Sequence, residues 1–264
     1  MPESNASSDL ALLIRAARAA GKIARGFTGP KAQRWDKADG AGPVTEADLA
    51  VNAALEAELR GARRGYGWLS EESEDGAERL SAERVFIIDP IDGTRSFIEG
   101  SRAWAHSLAI AEAGRVTAGV VYLPMMDKLY AAGEGQGATL NGAALAVTAQ
   151  GQMDGASVIG AKANYVAEHW RGAVPNFRRE YRPSLAYRLS LVAEGRFDVM
   201  LTLRATWEWD VAACDVILRE AGALTSDRRG GVSGSTIRAR RWMGWSRPIR
   251  GCMGRSSALW PDRA

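Results

Sequence analysis

The chain has 264 residues, 46% of them hydrophobic and 25% charged, and a formal net charge of +3. Those proportions are ordinary for a globular protein with its own core, and no apolar run approaches the roughly 20 residues that span a bilayer. Only two cysteines, Cys214 and Cys252, are present, which argues against a disulfide framework and fits a reducing compartment.

The positive balance is confined to one end. Arg228 to Ala264 holds nine arginines against one acid, Asp262, a net of +8 that leaves residues 1–227 at −5. The main body is acidic, so net charge makes no case for a nucleic-acid partner. The opening "MPESNASSDL" lacks the basic and apolar regions of a secretory signal, and the cytoplasm is the expected location.

In chain order, Leu10, Leu13, Ile14, Ala17 and Ala20 recur at helical spacing and predict an amphipathic helix over 9–26, capped by Ser8 or Asp9. The Gly/Pro/Asp-rich stretch that follows reads as loop or hairpin. A second helix begins at Thr45, where Thr45-x-x-Asp48 has the form of a capping box with Asp in place of Glu. Residues 84–89 read as a short buried strand, and 104–145 alternate strands with Gly-containing turns, the pattern of an antiparallel meander. After about residue 150 strands and helices alternate: "ASVIGA", "SLAYRLSLVAEG", "FDVMLTL", then "EWDVAACDVILREAGA" ended by Gly222. The expected organisation is an N-terminal α+β domain, 1–150, and a C-terminal α/β domain, 151–264.

The chemistry concentrates in "VFIIDPIDGT", 85–94. An apolar run stops at Asp89, Pro90 stiffens the exit, and Asp92 follows three positions later. Gly93 permits close backbone approach, and Thr94 adds a hydroxyl. Two carboxylates held side by side repel unless a cation lies between them, and oxygen donors suit a hard ion such as Mg²⁺. Alone, Asp-x-x-Asp is more often a strand terminator followed by a turn. Three strings in one chain outweigh that plain reading: "DPIDGT" at 89–94, "EES" at 71–73 and "WDVAA" at 209–213.

Together these strings resemble the signature motifs of the inositol monophosphatase superfamily, in the family's order, over roughly residues 9–227. The resemblance implies an α+β / α/β fold, a layered α-β-α-β-α sandwich of the sugar phosphatase type, with an antiparallel sheet in the N-terminal half and a mixed sheet in the C-terminal half. It implies two or three Mg²⁺ ions and hydrolysis of a small phosphomonoester, with sensitivity to lithium. In that pattern Glu71 binds one ion with Asp89 and the Ile91 carbonyl, while Asp92 and Asp210 hold a second that Asp89 also bridges. Gly93 and Thr94 meet the phosphate through their amides, the Thr94 hydroxyl orients the attacking water, and Asp48 supports that water or an outer ion. Thr94, Asp48 and Glu71 form the catalytic set. Homodimers are common in the family.

Substrate signals diverge from inositol. The family's sugar-gripping acid falls at Leu203, seven positions before Asp210. "TWEWD", "SLAYRLSLVAEG" and "GTRSF" are similar to strings of 3'(2'),5'-bisphosphate nucleotidases, and Arg95, Arg188 or Arg204 could pair with a second phosphate, Arg95 and Arg204 being the chosen substrate contacts. The expected reaction is 3'-phosphoadenosine 5'-phosphate to AMP, with inositol-1-monophosphatase or histidinol-phosphatase activity as the alternative, and a catalytically weakened binding protein of the same fold as the alternative class. His106 and His169 lack metal-ligand spacing and read as structural, and Cys214 reads as packing. From about residue 230 the sequence loses its pattern and gains Trp242, Trp245 and Trp260, which reads as the product of a reading-frame change.

Overall fold

The protein is described from a computed structural model. It covers residues 5–27, 33–37, 42–170, 172–204, 206–226, 241–242 and 245–247. The first helix, Asn5–Gly26 (α1), precedes an antiparallel hairpin of Arg34–Asp36 (β1) and Pro43–Thr45 (β2), and a second helix, Glu46–Ala62 (α2). Gly67–Ser70 (β3), Arg84–Asp92 (β4), the short helix Thr94–Ile98 (α3), Ala105–Glu112 (β5), Arg115–Leu123 (β6), Lys128–Gly133 (β7), Ala138–Leu140 (β8) and Ala143–Ala144 (β9) follow. Ser157–Gly160 (β10), Arg178–Glu180 (β11), Leu185–Ala193 (α4), Val199–Leu201 (β12), Thr206–Trp207 (β13), Glu208–Glu220 (α5) and Leu224–Ser226 (β14) come next. Two last short strands are Arg241–Trp242 (β15) and Trp245–Arg247 (β16).

Strands β3 to β9 form one seven-stranded sheet in sequence order. It is antiparallel from β4 onwards, with β3 added parallel to β4 at one edge. The unbroken apolar run of β4 has a direct cause. Phe86 and Ile88 point into a core shared with α1 and α2, while Val85 and Ile87 point into one shared with α4 and α5. A strand buried on both faces needs apolar residues at every position.

The second sheet has the order β11-β10-β12-β16-β14 and is mixed, with β10 parallel to β11 and β12 and β16 antiparallel to its neighbours. Ile159 and Met200 face the α4/α5 layer, whereas Val158, Val199 and Leu201 face an outer cluster with Tyr165, Trp170 and Phe177. Helix pair, sheet, helix pair, sheet and outer turns give the layered sandwich. All nine residues of α4 are buried, as its place between two sheets requires.

Three expectations need correction. Helix α1 begins at least as early as Asn5, because Asp9 is not a cap: it accepts from Arg63 Nε at 2.9 Å and Tyr66 Oη at 3.0 Å, tying α1 to the end of α2. Strand β4 does not stop at Asp89. It runs to Asp92 across a register shift, with Asp89 opposite Ser107 and Asp92 opposite Ala105. Pro90 has no N–H to pair there, and its carbonyl is engaged by His106 Nδ1 instead. The strand expected in "FDVMLTL" is confined to Val199–Leu201, because Asp198 turns its carboxylate to Ser157 and Thr148. The reading-frame proposal for the tail falls largely outside the described residues, although the backbone of β16 does sit between β12 and β14.

Gly119 on β6 sets how closely α5 can lie. A Cβ there would meet Ala213 O at 2.6 Å and Val216 Cγ1 at 2.7 Å. Gly119→Ala is therefore expected to destabilise the fold by about 1–3 kcal/mol, read as a lower urea midpoint; an unchanged midpoint would show that α5 can shift without cost.

Candidate active site

Local structure explains how acids from distant segments come together. The bulged end of β4 carries Asp89 and Asp92, and α5 brings Asp210 in its first turn, where Oδ2 accepts from Trp207 N at 3.1 Å. Oxygens of Asp89, Asp92 and Asp210 all lie within 4.8 Å of one another. Ser107 Oγ on β5 donates to Trp209 O at 3.0 Å, which fixes the start of α5 against the sheet. Asp92 is locked from the other side: its Oδ2 accepts from Ser184 Oγ and Ala186 N, both at 2.6 Å, at the start of α4.

Electrostatics shows the strain in this arrangement. Burial, then the charges of Glu71, Asp92 and Asp210, push Asp89 well above the usual carboxylate range. Burial raises Asp92, opposed by its bonds to Ser184 and Ala186. Burial, followed by the Asp92 charge, raises Asp210 to about 7. Asp89 Oδ1 is buried without a hydrogen-bond partner among the described residues. An orphaned carboxylate oxygen inside a group of three acids fits a hard divalent cation, which takes oxygen ligands.

Asp48 serves two functions. As the third residue of α2 its Oδ2 accepts from Thr45 N at 2.8 Å, completing a capping box, while Oδ1 faces the Thr94 hydroxyl at 3.3 Å. Burial raises it to about 6. Thr94 Oγ1 is also 3.2 Å from Ile91 O. One hydroxyl proton cannot serve both acceptors, so this donor is shared. Gly93 caps α3 with φ 97°, a left-handed conformation that glycine adopts without a Cβ penalty.

The remaining expected residues are placed less closely. Glu71 lies outside the three-acid group: its Oε1 accepts from Lys37 Nζ at 2.7 Å, and the same ammonium reaches Glu72 at 2.5 Å. Burial lifts Glu72 to about 7. For Lys37, burial alone would lower the value, but Glu71 and Glu72 outweigh it and raise it. Arg95 is exposed and lines a cleft of about 460 Å³ with Arg34, Trp35, Asp36, Pro43, Ile98 and Glu99. Arg204 is exposed and acts on Asp210 from the segment before α5. Lys37 and Ser184 are the residues that sequence reasoning missed; Lys37 is one of several cations in the hairpin stretch, with nothing local to single it out, and Ser184 is visible as an N-cap. His106 packs between Trp104 and Tyr122, and Cys214 is buried with its thiol raised by burial, so both are structural.

Fold and acid cluster together define a protein of the layered sugar-phosphatase type. Residues 5–250 match the model of the inositol monophosphatase family, and the chain belongs to that family of metal-dependent phosphatases. It is 36% identical over 205 residues to an inositol-1-monophosphatase of Mesorhizobium japonicum, covering 71% of this chain and 73% of that one. It is 34% identical to the Nus factor SuhB of Escherichia coli K12, covering 84% and 86%, and 34% identical to a histidinol-phosphatase of Mycobacterium tuberculosis, covering 83% and 87%. Among solved structures, the IMPase of Thermotoga maritima superposes with a TM-score of 0.77 at 25% identity, covering 91% and 92%.

The raised acids set a pH dependence. Asp48, Glu72 and Asp210 shift to about 6, 7 and 7, and Asp89 also rises. The folded state then binds more protons than the unfolded chain between about pH 4 and 7, so stability falls as pH rises through that window. His106, lowered to about 4 by burial, has the opposite sign but is one group against four. Chelator-treated protein is expected to melt higher at about pH 5 than at about pH 7.5, with Mg²⁺ raising the melting temperature at the higher pH. A melting temperature that climbs with pH in chelator contradicts this.

Proposed function

We propose that the chain is a cytoplasmic Mg²⁺-dependent phosphomonoester hydrolase acting on a 3'(2'),5'-bisphosphate nucleotide such as 3'-phosphoadenosine 5'-phosphate. The observation that carries the reaction is the Asp89, Asp92 and Asp210 group with its orphaned Asp89 oxygen. In this reading Glu71, Asp89 and the Ile91 carbonyl hold one ion, and Asp92 and Asp210 with Asp89 hold another. The unit 1–150 supplies most of these ligands, and 151–264 supplies Asp210. Mg²⁺ bound there supplies positive charge against the phosphoryl group and acidifies water.

The chain's own residues do the rest. The left-handed turn at Gly93 presents the amides of Gly93 and Thr94 to the phosphate. Thr94 Oγ1, beside Asp48 Oδ1, orients the attacking water and passes its proton towards a carboxylate poised at about 6. Lys37 holds Glu71 at the rim of the cluster. Arg95 and Arg204 are the substrate contacts.

Support for the substrate is Leu203, which stands where the family's sugar-gripping acid would be and is packed on the outer apolar cluster. A second reading has its own observation: the relatives include an inositol-1-monophosphatase and a histidinol-phosphatase. A third class, a binding protein of the same fold, is favoured by the likeness to a Nus factor.

Phosphate release from adenosine 3',5'-bisphosphate, inositol 1-phosphate and histidinol phosphate, with and without EDTA, separates them. The bisphosphate is expected to give the highest kcat/KM, with lithium inhibiting. Asp89→Asn is expected to abolish turnover while keeping the fold. Near-normal activity of that variant, or no EDTA-sensitive release from any substrate, would overturn the reading.

A further inference from the structure

Arg188 is the feature that the reaction leaves unused. It is 5% exposed, on α4, a helix buried on all sides and capped by Ser184. Its Nε donates to Ser184 O at 3.3 Å, and its guanidinium lies 5.5 Å from the centroid of the Tyr181 ring. It forms no ion pair with any described carboxylate. A guanidinium has five N–H donors, and only Nε has a hydrogen-bond partner among the described residues, so the terminal nitrogens are left for a further acceptor.

Its position says which anion. Ser184, whose hydroxyl holds Asp92, stands four residues before Arg188 on the same helix, so their Cα atoms lie roughly 6 Å apart along the axis. The Asp92 charge attracts the arginine, but no hydrogen bond or ion pair joins the two; Asp92 Oδ2 accepts from Ser184 and Ala186 instead. Exposed Arg204 is near enough for the two cations to repel one another. Burial, the largest influence, lowers Arg188, and the Asp92 charge opposes that shift. Two neighbouring arginines offer the planar forks that grip phosphate.

We propose that Arg188, with Arg204, receives a second phosphate of the substrate, held about a sugar ring's width from the phosphate that is cleaved. This rests on the acid cluster being the hydrolytic centre, and it adds to Arg95 and Arg204 a specificity contact on the α4 side of that centre. Tyr181, 54% exposed, offers its ring to the guanidinium beside that place.

The test is the ratio of kcat/KM for adenosine 3',5'-bisphosphate to that for adenosine 3'-monophosphate, in Mg²⁺. The wild type is expected to favour the bisphosphate by about tenfold or more. Arg188→Gln should collapse the ratio towards one, Arg188→Lys should retain part of it, and Arg204→Gln, at an exposed position without folding risk, should lower it. A purely structural arginine would depress both substrates and leave the ratio unchanged. A wild-type ratio near one, or a ratio intact in both Gln variants, overturns the proposal. Calorimetric binding of AMP against adenosine supplies a readout independent of turnover. If no phosphomonoester is hydrolysed, the functional reading fails alone, and AMP binding lost in Arg188→Gln still upholds the arginine site, whereas AMP binding no tighter than adenosine overturns it.

Discussion

Three carboxylates that offer oxygens within 4.8 Å of one another, from the end of β4 and the first turn of α5, repel each other in a site with little water to screen them. The structure around them is arranged to hold that repulsion in place. A strand buried on both faces fixes Asp89, a bulge aims Asp92, and the start of α4 clamps Asp92 with two short hydrogen bonds. Helix α5 is set against the sheet where Gly119 leaves room and Ser107 grips the Trp209 carbonyl. The fold spends stability to keep the acids together, and a bound cation is what returns it.

Much of this was legible in the sequence. The apolar run ending in Asp89-Pro90-Ile91-Asp92 announced a rigid acid pair, and Thr45-x-x-Asp48 announced a capped helix; the capping box is present, and Asp48 also meets Thr94. The meander and the alternating second half followed from periodicity and turn residues, and the layered sandwich from the resemblance to the family.

The parts that were not legible share one cause, dependence on tertiary neighbours. Lys37 lies 34 and 35 residues from Glu71 and Glu72, and in sequence it is only a charge in a polar hairpin. The extension of β4 past Pro90 depends on β5 continuing to pair across a bulge. Arg188 was one of three arginines that could meet a second phosphate or equally face solvent, and only the placement of α4 between two sheets makes it a buried cation. The cap of α1 was misassigned because Asp9 bonds to Arg63 and Tyr66, far away in the chain.

The central claim is that the acid cluster is a binding site for divalent cations whose protons are displaced when the ion enters. Calorimetric titration of Mg²⁺ into metal-free protein at about pH 7, in two buffers of different ionisation enthalpy, measures both quantities at once. The account predicts saturable binding with net proton release, because Asp210 lies at about 7 and Asp89 is raised well above the usual carboxylate range. Absence of saturable binding, or binding without proton release, would contradict it.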